Sequence, residues 1–249
     1  MHAIFEIFPD LRQLAASHFA GAACAKPAVM LAMTARTGST HLCAALQKAG
    51  DVGQPGEIFN PRGVAAAERQ RRGVALFADY MRSFAAEPSP VFIFKTSWND
   101  FAPFAQHWRS LFPNLRIVYL DRKNLAAQAV SLYRAQHSGT WHQPAAHPRS
   151  LAPASPPNFD LPRICALMRE LSDEKRAWEQ FFRAEALTPP RLFYENFQQD
   201  ITQALRFLAQ ELSLPLNFET PPEPGFLKLA DSTNHDWVER VQRHVLQMT

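Results

Sequence analysis

The stretch Pro27 to Leu46, PAVMLAMTARTGSTHLCAAL, constrains the fold of this 249-residue chain more than any other. Ala28 to Met33 is a short, almost purely apolar run, as a strand buried on both faces of a parallel sheet requires. The run breaks at Thr34, and Ala35 to Thr40 are small, hydroxylated or basic. Helical spacing resumes with Leu42, Ala45, Leu46 and Ala49, and Gly50 is a natural stop. A strand running through such a loop into a helix aims backbone N–H groups and the positive end of the helix dipole at one point. That makes an anion site. Gly38 lets the backbone approach closely, the hydroxyls of Thr37, Ser39 and Thr40 add donors, and Arg36 brings a charged bidentate fork. An ordinary strand-to-helix turn with a hydroxyl cap is the simpler alternative for the same residues. The Gly-x-x-x-x-Gly-Lys-Ser/Thr pattern and its Lys are absent, so the expected ligand is phosphate-like without being ATP held in the usual way.

The rest of the chain alternates strands with helices. Apolar runs at Val91 to Phe94, Leu115 to Leu120 and Arg191 to Tyr194 predict three further strands. Helical spacing marks 3–19, 64–86 with a break at Gly73, Asn99 or Asp100 to Phe112, 123–137, 163–186, 198–213 and a closing helix after the Pro-rich turn 215–224. This order predicts an α/β fold of the P-loop-like, three-layer kind: a central parallel sheet flanked by helices, in one domain over residues 1–249. Residues 1–26 are expected to supply only a packing helix. Residues 143–162 hold six of the 20 prolines and no periodicity, so they predict a long loop or lid, with a bare linker as the alternative.

Composition bounds the function classes. A net charge of +3, with the basic residues scattered, argues against nucleic acid. The three cysteines have no metal-ligand spacing, and buried thiols in a reducing compartment are the expectation. With no membrane-span-sized apolar run and no leader pattern, the expected location is cytoplasmic. Metal is not expected, and a homodimer is left open.

Other residues carry weaker signals. Glu57 is a lone carboxylate between Gly56 and the apolar pair Ile58–Phe59, in a turn-rich loop that can fold back over the sheet edge. Lys95 follows a buried strand, where open sheets bind ligands, and assists chemistry or is an edge charge. Arg122 ends the third strand, and Ser131 faces out of the following helix about two and a half turns on. Trp98 and Trp141 stack on a ligand or pack in the core. His142 is a remote alternative base.

In order along the chain, TARTGSTHLCAAL, GQPGEIF, VFIFKTSW, LDRKNLAAQAVSLYRAQHSGTW, LFYENF and DSTNHDWVER resemble the Stf0 sulfotransferase family, whose known type is the trehalose 2-sulfotransferases. The resemblance covers most of the chain from about residue 28. It implies 3′-phosphoadenosine 5′-phosphosulfate (PAPS) as sulfuryl donor, no metal, and a hydroxyl of a carbohydrate or glycolipid as acceptor. Arg36 to Thr40 match the family's 5′-phosphosulfate loop, Arg122 and Ser131 its 3′-phosphate pair, and Glu57 its base. Arg36 would then stabilise charge on the leaving group. The chain departs from the family at Ile58, where an aromatic is usual, at Gly56 and across most of the Pro-rich loop, so the resemblance does not imply trehalose itself. Two rivals stand beside it. A P-loop-type kinase is suggested by Asp121 at the end of an apolar strand, and a non-catalytic nucleotide- or glycan-binding protein on the same fold is the other.

Overall fold

The computed structural model describes residues 2–13, 19, 22–139, 141, 157–217 and 232–248. Strands β1 (Ala28–Met33), β2 (Phe92–Ser97), β3 (Leu115–Asp121) and β4 (Arg191–Phe193) form one parallel sheet in the order β2, β1, β3, β4. The helices are α1 (Ile4–Ile7), α2 (Ser39–Ala49), α3 (Val64–Arg72), α4 (Phe77–Ala85), α5 (Trp98–Phe101), α6 (Trp108–Leu111) and α7 (Leu125–Ser138). They continue with α8 (Leu161–Ala184), α9 (Tyr194–Phe197), α10 (Ile201–Leu212) and α11 (Ser232–Met248). No described helix is long and apolar enough to cross a membrane.

Three layers follow from the period of two along the strands. Met30 and Ala32 of β1 share a face with Phe92, Phe94, Ile117 and Tyr119, and this face packs on α4 and on Trp178, Phe181 and Phe182 of α8. Leu31 and Met33 point the other way, with Ile93, Val118 and Leu120, onto α2 and α10. Every β1 residue is buried, which is why its sequence is continuously apolar instead of alternating. A further apolar cluster joins α7, the first half of α8 and α11 through Val130, Ile164, Leu167 and Trp237.

Chain order reverses at β1: β2 lies on one side of it and β3 on the other. The crevice of an open parallel sheet forms at such a reversal, outside the strand carboxyl ends. The loop leaving β1 therefore faces residues from β2 on one flank and from β3 and α7 on the other.

Several boundaries differ from expectation, each for a local reason. Residues 3–19 are not one helix: α1 gives way to a 3-10 turn, Pro9–Gln13, because Pro9 cannot continue the hydrogen-bond ladder. The helix expected from Asn99 or Asp100 to Phe112 is broken by Pro103 into α5, a 3-10 turn Ala102–Phe104 and α6. Its cap is Ser97, whose hydroxyl accepts from the Asp100 N–H. Leu161 and Pro162, placed by sequence in the loop, open α8, where Asp160 caps and a first-turn proline sacrifices no bond. Most of the expected lid, 142–156, and the turn at 218–224 lie outside the described residues.

Candidate active site

Left-handed backbone at two consecutive turns shapes the loop after β1. Gly38 has φ +77° and serves as the N-cap of α2 with no side-chain cap. A Cβ there would stand 2.7 Å from the Tyr194 ring and 2.9 Å from Phe197, so both the dihedral and the close approach demand glycine. The first N–H groups of α2 thus remain aimed out of the helix end. Arg36, with φ +65°, adopts the same region with a side chain attached, a strained state that its surroundings must hold. Arg122 does so by donating from Nη1 to the Arg36 carbonyl at 3.1 Å.

The α7 flank collects the guanidinium groups. Arg36 Nε donates to Ser131 Oγ at 2.9 Å, and its Nη1 donates to the Trp141 carbonyl. The Arg122 guanidinium lies 4.3 Å over the Tyr194 ring, and its Nε is buried without a partner. Glu195 acts on Arg122 only through its field, since its oxygens accept from the N–H groups of Lys123 and Asn124. Burial lowers the pKa of both arginines, and Arg122 depresses that of Arg36 further. Two cations are therefore held close with hydrogen bonds to neutral acceptors alone.

The β2 flank is different. Because β2 runs on to Ser97, Lys95 lies within the strand and not beyond it. The period of two sets Lys95 beside Ile93, on the face toward α2. Its ammonium reaches Thr40 Oγ1 at 2.8 Å and Glu57 Oε1 at 3.1 Å. Only 8% of the Lys95 side chain is exposed, so this pairing is what permits the charge to be buried.

Glu57 arrives there because its loop is fastened to β2. Gly56 bridges Phe94, and the Lys95 N–H donates to the Gly56 carbonyl at 3.0 Å. Ile58 and Phe59 are buried, Phe59 stacking on Phe104 at 4.4 Å, and each contributes roughly 1.5–3 kcal/mol of burial. The second Glu57 oxygen accepts from Asn60 Nδ2 at 2.6 Å. The field of Glu57 reaches Asp100, whose pKa is raised chiefly by burial; beyond Asp100, burial pushes Glu174 up to about 7 although the Trp98 N–H that it accepts opposes the rise.

Thus the structure gathers Arg36, Arg122 and Ser131 into one cluster and Glu57, Lys95 and Thr40 into another, on opposite flanks of a shared loop. Thr37 turns inward to the Thr34 carbonyl at 3.0 Å, and Ser39 is buried within 3.5 Å of Lys95. Trp98 packs edge-on against Trp178 at 5.1 Å and joins the aromatic core, whereas the Trp141 ring is 44% exposed. Sequence reasoning missed Asn60, Gln128 and Tyr194. Gln128 is fully buried, and its Nε2 donates to Thr34 Oγ1 at 2.8 Å and to the Ala35 carbonyl at 2.7 Å. A polar residue set among alanines on a core-facing helix was the available signal.

A loop-to-helix turn at the switch point of a parallel sheet, with two guanidinium groups on one side and a paired carboxylate on the other, is an arrangement suited to an anionic ligand. The chain belongs to the Stf0 sulphotransferase family, whose model matches residues 28–244, and it is a sulfotransferase. It is 23% identical to the trehalose 2-sulfotransferase of Mycobacterium tuberculosis over 261 residues, spanning 86% of this chain and 94% of that protein. Identity to the trehalose 2-sulfotransferase of Mycolicibacterium smegmatis is 20%, over 87% and 94% of the two chains. The sulfotransferase structure from Alicyclobacillus acidocaldarius superposes with a TM-score of 0.49 at 14% identity, covering 89% of this chain and 96% of that one.

Proposed function

We propose that this protein transfers a sulfuryl group from PAPS to a hydroxyl of a carbohydrate or glycolipid, in one domain spanning the chain. The observation that carries the donor is the Arg36–Arg122–Ser131 cluster, with two half-buried guanidinium groups on neutral acceptors and an unpartnered Nε. It fits a 3′-phosphate, which is the group that separates PAPS from other adenine nucleotides. The loop amides from Arg36 to Thr40 would hold the 5′ end. When bound, PAPS supplies an activated sulfuryl group on a good leaving group. The free thiols of Cys24, Cys43 and Cys165 suit the reducing cytoplasm, which is the location proposed.

Glu57 takes the proton of the acceptor hydroxyl as general base. Lys95 lies between the Glu57 carboxylate and Thr40 of the donor loop, so its ammonium faces both the base and the donor end. This position supports giving the charge-stabilising role to Lys95 more than to Arg36, whose guanidinium is engaged at Ser131. Asp121, the residue behind the kinase alternative, is bound by the Lys175 ammonium at 2.7 Å and by the Arg122 N–H at 2.7 Å.

Calorimetry with adenosine 3′,5′-bisphosphate and 5′-AMP, in a metal-free buffer, tests the donor. Much tighter binding of the bisphosphate is expected; equal affinities would overturn the assignment. Transfer from labelled PAPS onto disaccharides and glycolipids tests the acceptor, and a donor-binding protein that modifies none of them would favour the non-catalytic alternative.

A further inference from the structure

Residues Glu174, Lys175 and Trp178 occupy one face of α8, since positions one and four apart lie within about a quarter turn of each other. All three reach the backbone at the carboxyl end of a different strand. Trp178 Nε1 donates to the carbonyl of Met33, the last residue of β1, at 3.0 Å. Glu174 Oε1 accepts from the N–H of Trp98, the residue after β2, at 2.9 Å. Lys175 Nζ donates to the carbonyl of Arg122, the residue after β3, at 2.6 Å, and pairs with Asp121 at 2.7 Å. The sheet register puts Met33 level with Ser97 and Leu120, so the tethers fall at the end of β1, one residue beyond that level after β2 and two beyond it after β3.

These three strand ends carry the three parts of the site. β1 leads into the donor loop, β2 presents Lys95, and β3 presents Arg122. We propose that this face of α8 is a brace whose members are positioning residues, Lys175 for the donor pocket through Arg122 and Glu174 for the transfer end through β2. The proposal rests on the PAPS reading above. None of the three residues belongs to either cluster around the loop, and among the described residues α8 alone bonds to all three strand ends through its side chains. The use of polar side chains is informative. Half-burying a Glu and a Lys against a strand end is costly unless each satisfies a defined partner, and here each does. Apolar residues would have packed α8 on the sheet without fixing the heights of the strand ends relative to one another.

A brace acting strand by strand predicts separable effects, which a merely structural helix would not show. Lys175→Met is expected to weaken adenosine 3′,5′-bisphosphate binding ~10-fold with kcat within ~3-fold of wild type. Glu174→Leu should lower kcat ~10-fold with bisphosphate Kd within ~2-fold, and Glu174→Gln, whose amide oxygen can still accept from Trp98, should restore most of it. Amide hydrogen exchange supplies a readout independent of activity: the Trp98 amide should exchange faster in Glu174→Leu and the Arg122 amide faster in Lys175→Met, each without the other. Parallel shifts of Kd, kcat and both amides in every variant, or no shift in any, would overturn the brace. Should Glu174→Leu fail to fold, Lys175→Met at its partly exposed position and Glu174→Gln still decide the matter. A wild-type protein that does not bind the bisphosphate would overturn the donor assignment instead, and the exchange pattern would still judge the brace.

Discussion

The two flanks of the loop after β1 use the same chemical alphabet to opposite ends. On the α7 flank, Arg36 and Arg122 donate to a hydroxyl and to carbonyls, and the nearby Glu195 is engaged by backbone N–H groups. On the β2 flank, Lys95 is paired with Glu57, which also accepts from Asn60. Under the proposed function, the first side would take the donor's charge and the second would handle the acceptor's proton. Affinity should therefore reside on the α7 flank and turnover on the β2 flank. The variants that follow attack that division, beginning with the largest effect.

Glu57→Gln keeps the shape and an acceptor for Lys95 while removing the basic oxygen. A positioned base contributes ~10²–10⁴-fold, so kcat is expected to fall at least ~100-fold with bisphosphate affinity unchanged. Glu57→Asp should retain partial activity. Steady-state kinetics beside calorimetry decide it: turnover within a few-fold of wild type in the Gln variant would move the base elsewhere. Arg122→Ala is the mirror test. Charge-assisted contacts to phosphate contribute about 1.5–3 kcal/mol, so preference for the bisphosphate over 5′-AMP should drop by about 100-fold. An undiminished preference would dissolve the comparison between flanks.

Much of this was legible from residues alone, for reasons that also explain what was not. The strand–loop–helix from Ala28 to Ala49 was plain because a doubly buried strand must be continuously apolar and a cradle must be small and hydroxylated. Glu57 stood out only weakly as a lone carboxylate beside an apolar pair, and its role as base came from the family resemblance; the burial of Ile58 and Phe59 is what brings the carboxylate to the sheet. Lys95 was misplaced because a charge normally ends a buried strand, and the partner that lets it stay arrives from the Glu57 loop. The contact of Arg36 with Ser131 was not legible, because the loop's sequence cannot say which way a long side chain leaves a left-handed backbone. The broken helix after Ser97 was signalled by Pro103 and overlooked in favour of periodicity.

Glu174 offers a pH test of the β2 flank. Its pKa is raised to about 7 by burial, with the field of Asp100 adding to it and the amides of Trp98 and Asn99 opposing it. The folded protein then holds a proton that the unfolded chain releases near pH 4.5, so stability is greatest below that pH and falls as pH rises toward 7. After allowance for the part that water reaches, the loss is about 2 kcal/mol. Denaturant unfolding between pH 4.5 and 8 should show this decline in wild type and a flatter profile in Glu174→Gln. Parallel profiles would mean that the carboxyl is solvated.

The smallest effect is expected at Gln128, and it sharpens the comparison most finely. This side chain stands on the α7 flank but touches no part of either charged cluster; it holds Thr34 and the Ala35 carbonyl, just ahead of the strained Arg36. If affinity on this flank depends on charge alone, replacing Gln128 should matter little. If it depends on the loop being held in its left-handed turn, the loss should appear in donor binding. Gln128→Leu nearly preserves volume, removes two donated bonds and leaves a carbonyl and a hydroxyl to find other partners. A net cost of about 1 kcal/mol, or roughly 5–10-fold in bisphosphate Kd, follows from hydrogen bonds of this neutral kind. The loss should reach 5′-AMP equally, because the loop and not the 3′-phosphate pocket is disturbed, whereas Arg122→Ala affects the bisphosphate selectively. Calorimetry on both nucleotides separates the two: a selective loss in Gln128→Leu would show that the loop and the Arg122 pocket act as one unit.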